Sequence, residues 1–360
     1  MVSLLTLVVF FNGCVEPFSP PEVNSDEGYL VVDGFLNMGA DTSTIVLSHT
    51  QNASAKTSVL MEAGAKINVE EANGATFPFT EKGNGSYFLP PVTLNMSGRY
   101  RVRIKTKNSK EYLSDYVEVK NTPPIDSVAL VLDTRQEAAI MQVNAHDSQN
   151  NTRFYRWKFE ETWEYRASLY SSLELVKGQI VSRKEDINTC YRTIKSANIL
   201  LGSTIKLTQD VIKNLPLTTV QYSTGKLLIK YSLLVKQYGL TQDAFEYWTS
   251  LAKTTEGTGS LFDPLPSQVT GNIKCTTDGQ ELVFGYFSAA VEQKKRVFFT
   301  PHLGSFNQCS SQKLTVEDAK KTSAILLSFS GEMPDSVFVA SDYCADCRAQ
   351  GGVLKRPSFW

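Results

Sequence analysis

Arg99-Tyr100-Arg101-Val102-Arg103-Ile104-Lys105 alternates without interruption, with every apolar residue on one face of an extended chain and every charge on the other. Successive side chains of a strand point to opposite sides, so this is a strand with one face in a core and one in water. Working outward, Lys66-Ile67-Asn68-Val69-Glu70 alternates likewise. Asn73-Gly74 then supplies the positive φ angles of a tight turn ahead of Thr76-Phe77-Pro78-Phe79-Thr80. Tyr29 to Leu36 and Thr44 to Leu47 are rich in β-branched and aromatic residues, and Gly83-Asn84-Gly85 marks another turn. Short strands separated by turns, with no helical period, predict an immunoglobulin-like or transthyretin-like β-sandwich over 28–120. Thr122-Pro123-Pro124 should end it, because two prolines remove two backbone donors and impose extended geometry, as a hinge would.

A larger β-domain with a helical insertion is expected over 125–360, making the chain mainly β. Phe154 to Phe159 places Tyr155, Trp157 and Phe159 on one face of a strand, and Leu227 to Val235 continues as a strand towards Tyr238. Val283 to Phe287 reads as part of a hairpin. The inserted helix falls near 241–256: Thr241 is an N-cap, Ala244, Phe245, Trp248, Leu251 and Ala252 recur at helical spacing, and Gly257 and Gly259 end it. A shorter helix over Leu314 to Lys321 fits the same rules. The aromatic row could be a sugar-stacking platform, but large aromatics alternating with charges are the ordinary content of half-buried strands. For a glycan ligand, Trp157, Trp163 and Trp248 are the rings to examine. Glu160 and Glu161 are adjacent on a strand and point apart, which argues against a glycosidase pair.

With 36 Lys and Arg against 37 Asp and Glu, the chain has no field that would hold nucleic acid, and Lys294-Lys295-Arg296 is too short a run to supply one. Leu4 to Phe11 is the one long apolar run. It falls far short of the roughly 20 residues of a membrane span, but it suits the apolar centre of an export signal. Asn12-Gly13-Cys14 follows it, a small residue before a cysteine, as in signals cut by lipoprotein signal peptidase. Residues 1–14 are therefore read as a lipoprotein signal with Cys14 as the acylated first residue of the mature chain. Residues 15–27, Pro-rich and polar, are read as a tether. Met1-Val2-Ser3 lacks the usual positive charge and Phe11 stands where leucine is usual, so an uncleaved anchor is the alternative. The partner expected first is thus a membrane, reached through a lipid.

Five further cysteines follow, Cys190, Cys275, Cys309, Cys344 and Cys347, all in the second part. In an exported chain disulfides are the default, and the odd count leaves one over; about fifteen pairing schemes are open. Cys344-Ala345-Asp346-Cys347 has redox spacing but no strand–helix unit around it, and zinc would need Cys309 or His302 to join the pair. No cofactor or metal is expected. His49, His146 and His302 are the only histidines, and no G-x-S-x-G elbow, Walker loop, dinucleotide fingerprint or H-E-x-x-H is present. Catalysis is not indicated.

Several segments together resemble domain-of-unknown-function family 4249, lipoproteins of Bacteroidota. In the first half these are Tyr29-Leu30-Val31-Val32-Asp33-Gly34, Val46-Leu47-Ser48-His49-Thr50, Ser86-Tyr87 and Thr122-Pro123-Pro124-Ile125-Asp126-Ser127. Tyr231 to Tyr238, Glu246-Tyr247-Trp248, Phe262 to Ile273 and Cys344 to Gly352 extend the resemblance over essentially the whole chain. It implies outer-membrane localisation, facing the periplasm or the cell surface, beside TonB-dependent β-barrel importers, and brings no activity to carry over. The function expected is an accessory or ligand-binding partner of such a transporter. A surface-structural or adhesive lipoprotein is the alternative, and an enzyme of unrecognised type comes third.

Overall fold

The computed structural model describes residues 28–51, 58–255, 269–305, 308–331 and 335–360. The Cys14 signal, the 15–27 tether and the Gly257 and Gly259 helix stop lie outside them. Among the described residues, the first strands are β1 (Leu30–Asn37), β2 (Ser43–His49), β3 (Lys66–Glu71), β4 (Thr76–Pro78), β5 (Thr80–Gly83) and β6 (Ser86–Leu89). β7 (Arg99–Lys105), β8 (Glu111–Ser114) and β9 (Val117–Lys120) complete this run. One layer orders as β1-β2-β6-β5, and in the other β7 lies between β3 and β8. Leu30, Val32, Ile45 and Leu47 from the first layer meet Ile67, Val69, Tyr100, Val102 and Ile104 from the second in one core. The alternation of β7 thus places its apolar face as expected. Its outward Arg101 and Arg103 both reach Glu70 on β3, at 2.7 and 2.5 Å.

The second part begins with β10 (Ile125–Asp133), β11 (Ala138–Asp147) and the long β12 (Phe154–Arg166), then the ribbon of β13 (Leu173–Val176) and β14 (Gln179–Ser182). β15 (Thr189–Lys195), β16 (Leu200–Ser203), β17 (Asp210–Gln221) and β18 (Lys230–Gly239) follow, and helix α1 (Gln242–Thr255) lies where the 3.6-residue period placed it. After α1 come β19 (Ile273–Cys275), β20 (Val283–Ala290) and β21 (Gln293–Phe299). The sheet β15-β12-β18-β21 packs on the sheet β10-β11-β17. Tyr155, Trp157 and Phe159 of β12 lie in that core beside Leu233 and Val235 of β18 and Met141 and Val143 of β11.

Two expectations are corrected here. Val283 to Phe287 is not half of a hairpin: β20 lies parallel to β1, from Leu30↔Val283 to Asn37↔Ala290, while β21 pairs with β18 in the other sandwich. β19 likewise adds to β8. The first sandwich therefore does not end at Lys120, because strands from residues 273–290 complete it. Gly285 permits the close approach, since it has φ +110° and a Cβ there would lie 1.9 Å from the Val32 carbonyl oxygen. The Pro123-Pro124 segment, read from sequence as a hinge, is pinned by hydrogen bonds. The Gln237 amide Nε2 donates to the Pro123 carbonyl at 2.8 Å while its Oε1 accepts from Trp157 Nε1 at 2.8 Å, and Gly239 N–H donates to Thr122 Oγ1.

The C-terminal part forms a small sheet of β22 (Gln312–Thr315), β23 (Ile325–Phe329) and β24 (Ser336–Ala340), with short helices α2 (Val316–Ala319) and α3 (Asp342–Ala345). Disulfides join Cys190 to Cys347 and Cys309 to Cys344, and buried Cys275 is the odd thiol. Cys344 and Cys347 thus bond different partners, so the redox-pair and zinc alternatives fall: neither cysteine is a free thiol.

Two outcomes are expected. A fragment of residues 28–120, lacking β19 and β20, should give no cooperative urea transition, whereas the whole chain should. In a Cys14→Ala chain, Ellman titration without reductant should find no reactive thiol in the native protein and one, Cys275, in denaturant. Three thiols in denaturant would contradict one of the two disulfides.

Candidate functional site

Strand period turns the same residues that build the second core into one wall of a cleft. Between inward Tyr155, Trp157 and Phe159, β12 presents Arg156, Lys158 and Glu160 outward, and β18 sets Tyr238 opposite Arg156 and Lys236 opposite Lys158. The facing wall is the outer side of the first sandwich, where Asp33 and Phe35 of β1 stand beside Val46 and Thr44 of β2. Together they enclose a cleft of about 620 Å³, within the range of small-ligand sites. α1 closes one end: Tyr247 packs on Tyr286 of β20 at 5.1 Å, and Phe245 on Phe154 of β12 at 4.9 Å.

Most charges in the cleft are matched. Lys158 Nζ meets Asp33 across the gap at 3.5 Å, Lys236 meets Glu160 at 2.7 Å, and Lys294 meets Glu292 at 2.8 Å and Asp41 at 3.0 Å. The Tyr238 hydroxyl donates to Glu292. Burial pushes the pKa of that phenol up, and the Glu292 charge adds to the shift, so Tyr238 stays protonated and a donor. Burial also works against the Glu160 carboxylate, but the hydrogen bond and charge of Lys236 outweigh it and hold Glu160 below its usual range. Burial pulls Lys158 below the usual lysine range, with Asp33 opposing.

Arg156 is the exception. Its guanidinium lies 3.4 Å from the centre of the Trp248 ring, its Nε is buried without a hydrogen-bond partner, and no carboxylate of the described residues lies within salt-bridge distance. Burial disfavours its charge, yet an arginine keeps its proton. The arrangement is a cation in the wall of a cleft, backed by an aromatic face and without a carboxylate in contact, with only the more distant Asp33 charge favouring it.

The tryptophans singled out from sequence do not form a stacking platform. Trp157 is 0% exposed, Trp163 7% and Trp248 8%. Trp157 and Trp163 belong to the second core, and Lys226 and Arg192 cover the Trp163 ring. Only Trp248 lines the cleft, and Arg156 occupies its face. Glu160 and Glu161 point apart as expected: Glu161 is buried, held by Lys226 and by the Tyr231 hydroxyl at 2.7 Å. Of the histidines, His49 bonds Glu62, His146 bonds Asp126 and His302 approaches the Leu228 carbonyl. Sequence reasoning passed over Arg156, Lys158, Lys236 and Asp33. The available signal was the charged half of the β12 alternation, which reads as solvent-facing until the wall opposite is known.

A fibronectin type III two-domain segment of chicken tenascin is similar over 58% of this chain and 89% of its own, at 11% identity and a TM-score of 0.17, too low to bear on fold or function. No curated protein matches the chain. The model of the domain of unknown function DUF4249 matches residues 15–296, most of the length and every strand that walls the cleft except the last residues of β21. The chain belongs to the DUF4249 family.

Proposed function

We propose that this chain is a non-catalytic binding lipoprotein of the outer membrane, tethered through Cys14 and acting as an accessory of a TonB-dependent transporter. The observation that carries the binding half is the cleft, ready-formed between two sandwiches and lined by ion-paired side chains with one cation left over. None of the three histidines borders it, and its ionisable groups are arranged as salt bridges rather than as a nucleophile with a base. Export is supported by the Leu4 to Phe11 run followed by Asn12-Gly13-Cys14, and by two disulfides, bonds that persist in oxidising compartments. The transporter half is drawn from the setting the family resemblance implies.

Mild-detergent capture from outer membranes through a C-terminal tag, with a Cys14→Ala control, tests it. The expected result is recovery of a β-barrel receptor with the native chain, and release of the variant from the membrane fraction with loss of the barrel. A lipidated, surface-exposed chain that brings down no barrel would replace the transport role with a surface-structural one. A Cys14→Ala chain that stays in the membrane fraction would overturn the lipid anchor.

A further inference from the structure

We propose that the cleft between the two sandwiches recognises a ligand bearing a single carboxylate, and that Arg156 is the residue that binds it. The inference rests on the reading of the chain as a binding protein but not on its transporter. Of the five basic and four acidic side chains around the cleft, every acid already faces a base: Asp33 faces Lys158, Glu160 faces Lys236, and Asp41 and Glu292 share Lys294. Lys195 is exposed to solvent, which leaves Arg156 as the cation in the wall with no carboxylate in contact, Asp33 acting on it only from a distance. The Arg156 Nε is buried without a hydrogen-bond partner, a cost that an arriving anion removes.

The setting also selects the anion. A guanidinium offers a planar fork that matches a carboxylate by two parallel hydrogen bonds, and stacking on Trp248 fixes the plane of that fork before the ligand comes. With exposed Lys195 counted, the five bases exceed the four acids by one, and with Asp33 and Glu160 nearby this suits a monoanion and disfavours a phosphate carrying nearly two charges. Beyond the anion, Phe35 and Tyr238, edge to face at 5.0 Å, give an apolar surface for the rest of the molecule. The volume accepts something the size of an acidic disaccharide or a short peptide with a free C-terminus.

The probes are digalacturonic acid and N-acetyl-Ala-Ala, with galactobiose and the N-acetyl-Ala-Ala amide as neutral counterparts, and inorganic phosphate as the competing anion. Binding is read on the full Cys14→Ala chain by calorimetry and by tryptophan emission, because Trp248 lies against the guanidinium. At least one acid should bind saturably, its neutral counterpart and phosphate far more weakly, and Arg156→Met should weaken the acid by about thirtyfold or more. Arg156→Lys keeps the charge without the fork and should lie between the two, which covers the case that the methionine variant does not fold. Whether the sugar acid or the peptide acid binds identifies the source of the carboxylate. Binding of neither acid, equal binding by Arg156→Lys, or phosphate binding as tightly as the acids would overturn the proposal. Capture of a barrel together with absence of acid binding would leave the transport reading standing and remove only this one.

Discussion

The parallel pairing of β20 with β1 is the constraint from which the rest of the architecture follows. Parallel neighbours cannot be joined by a short turn, so some long crossover must separate them. Here that crossover contains the entire second sandwich up to β18 and the helix α1. The chain leaves the first sandwich at β9, builds the second, returns to fill the gap beside β1, and leaves again two residues later as β21. Val283, Phe287 and Ala289 of β20 are part of the first core. At the crossing point Met38 N–H donates to the Ala290 carbonyl, Val291 N–H to the Lys120 carbonyl and Glu292 N–H to Asn37 Oδ1. The two sandwiches are therefore joined by three covalent crossings, and hydrogen bonds tie the last of them to the ends of β1 and β9, which fixes the distance between the walls of the cleft.

The chemistry of those walls explains why they stay apart. Apolar outer faces would collapse on one another and exclude water, whereas Asp33, Lys158, Glu160 and Lys236 keep their hydration or pair across the gap. Such pairs add little stability where they are partly exposed. Their effect is on shape: the outer face of β12 is polar at every second residue, so apolar contact between the sandwiches is carried by α1, by Phe35 against Tyr238 and by the β20 to β21 crossing.

Alternation made the strands, the two cores and the burial of Tyr155, Trp157 and Phe159 legible in sequence, because period two is a local property. The 3.6-residue period did the same for α1, which runs Gln242–Thr255 against an expected 241–256. What lay beyond reach was long-range. Nothing in Val283 to Phe287 distinguishes a strand that pairs with its sequence neighbour from one that pairs with a segment some 250 residues earlier. The same gap hid the cleft, since Arg156 and Asp33 are each unremarkable outward residues until the two sheets face one another. Cysteine pairing was hidden for a like reason: Cys344 and Cys347 look like a pair by spacing, but each is drawn to a partner brought close by tertiary structure.

The position of Arg156 is finally a property of the helix more than of the strand that carries it. β12 fixes only where its side chain departs; Trp248 decides where the guanidinium comes to rest, and Trp248 is placed by α1. That helix is held from both sides, with Tyr247 against Tyr286 in the first sandwich and Phe245 against Phe154 in the second. Burying aromatics of this size contributes on the order of 2 kcal/mol each, well above what the partly exposed ion pairs of the cleft supply. The same apolar contacts that lock the sandwiches together therefore also orient the Arg156 cation between them. Stability and recognition meet in α1, where a change that loosened its packing would disturb the cleft without touching any residue of its polar walls.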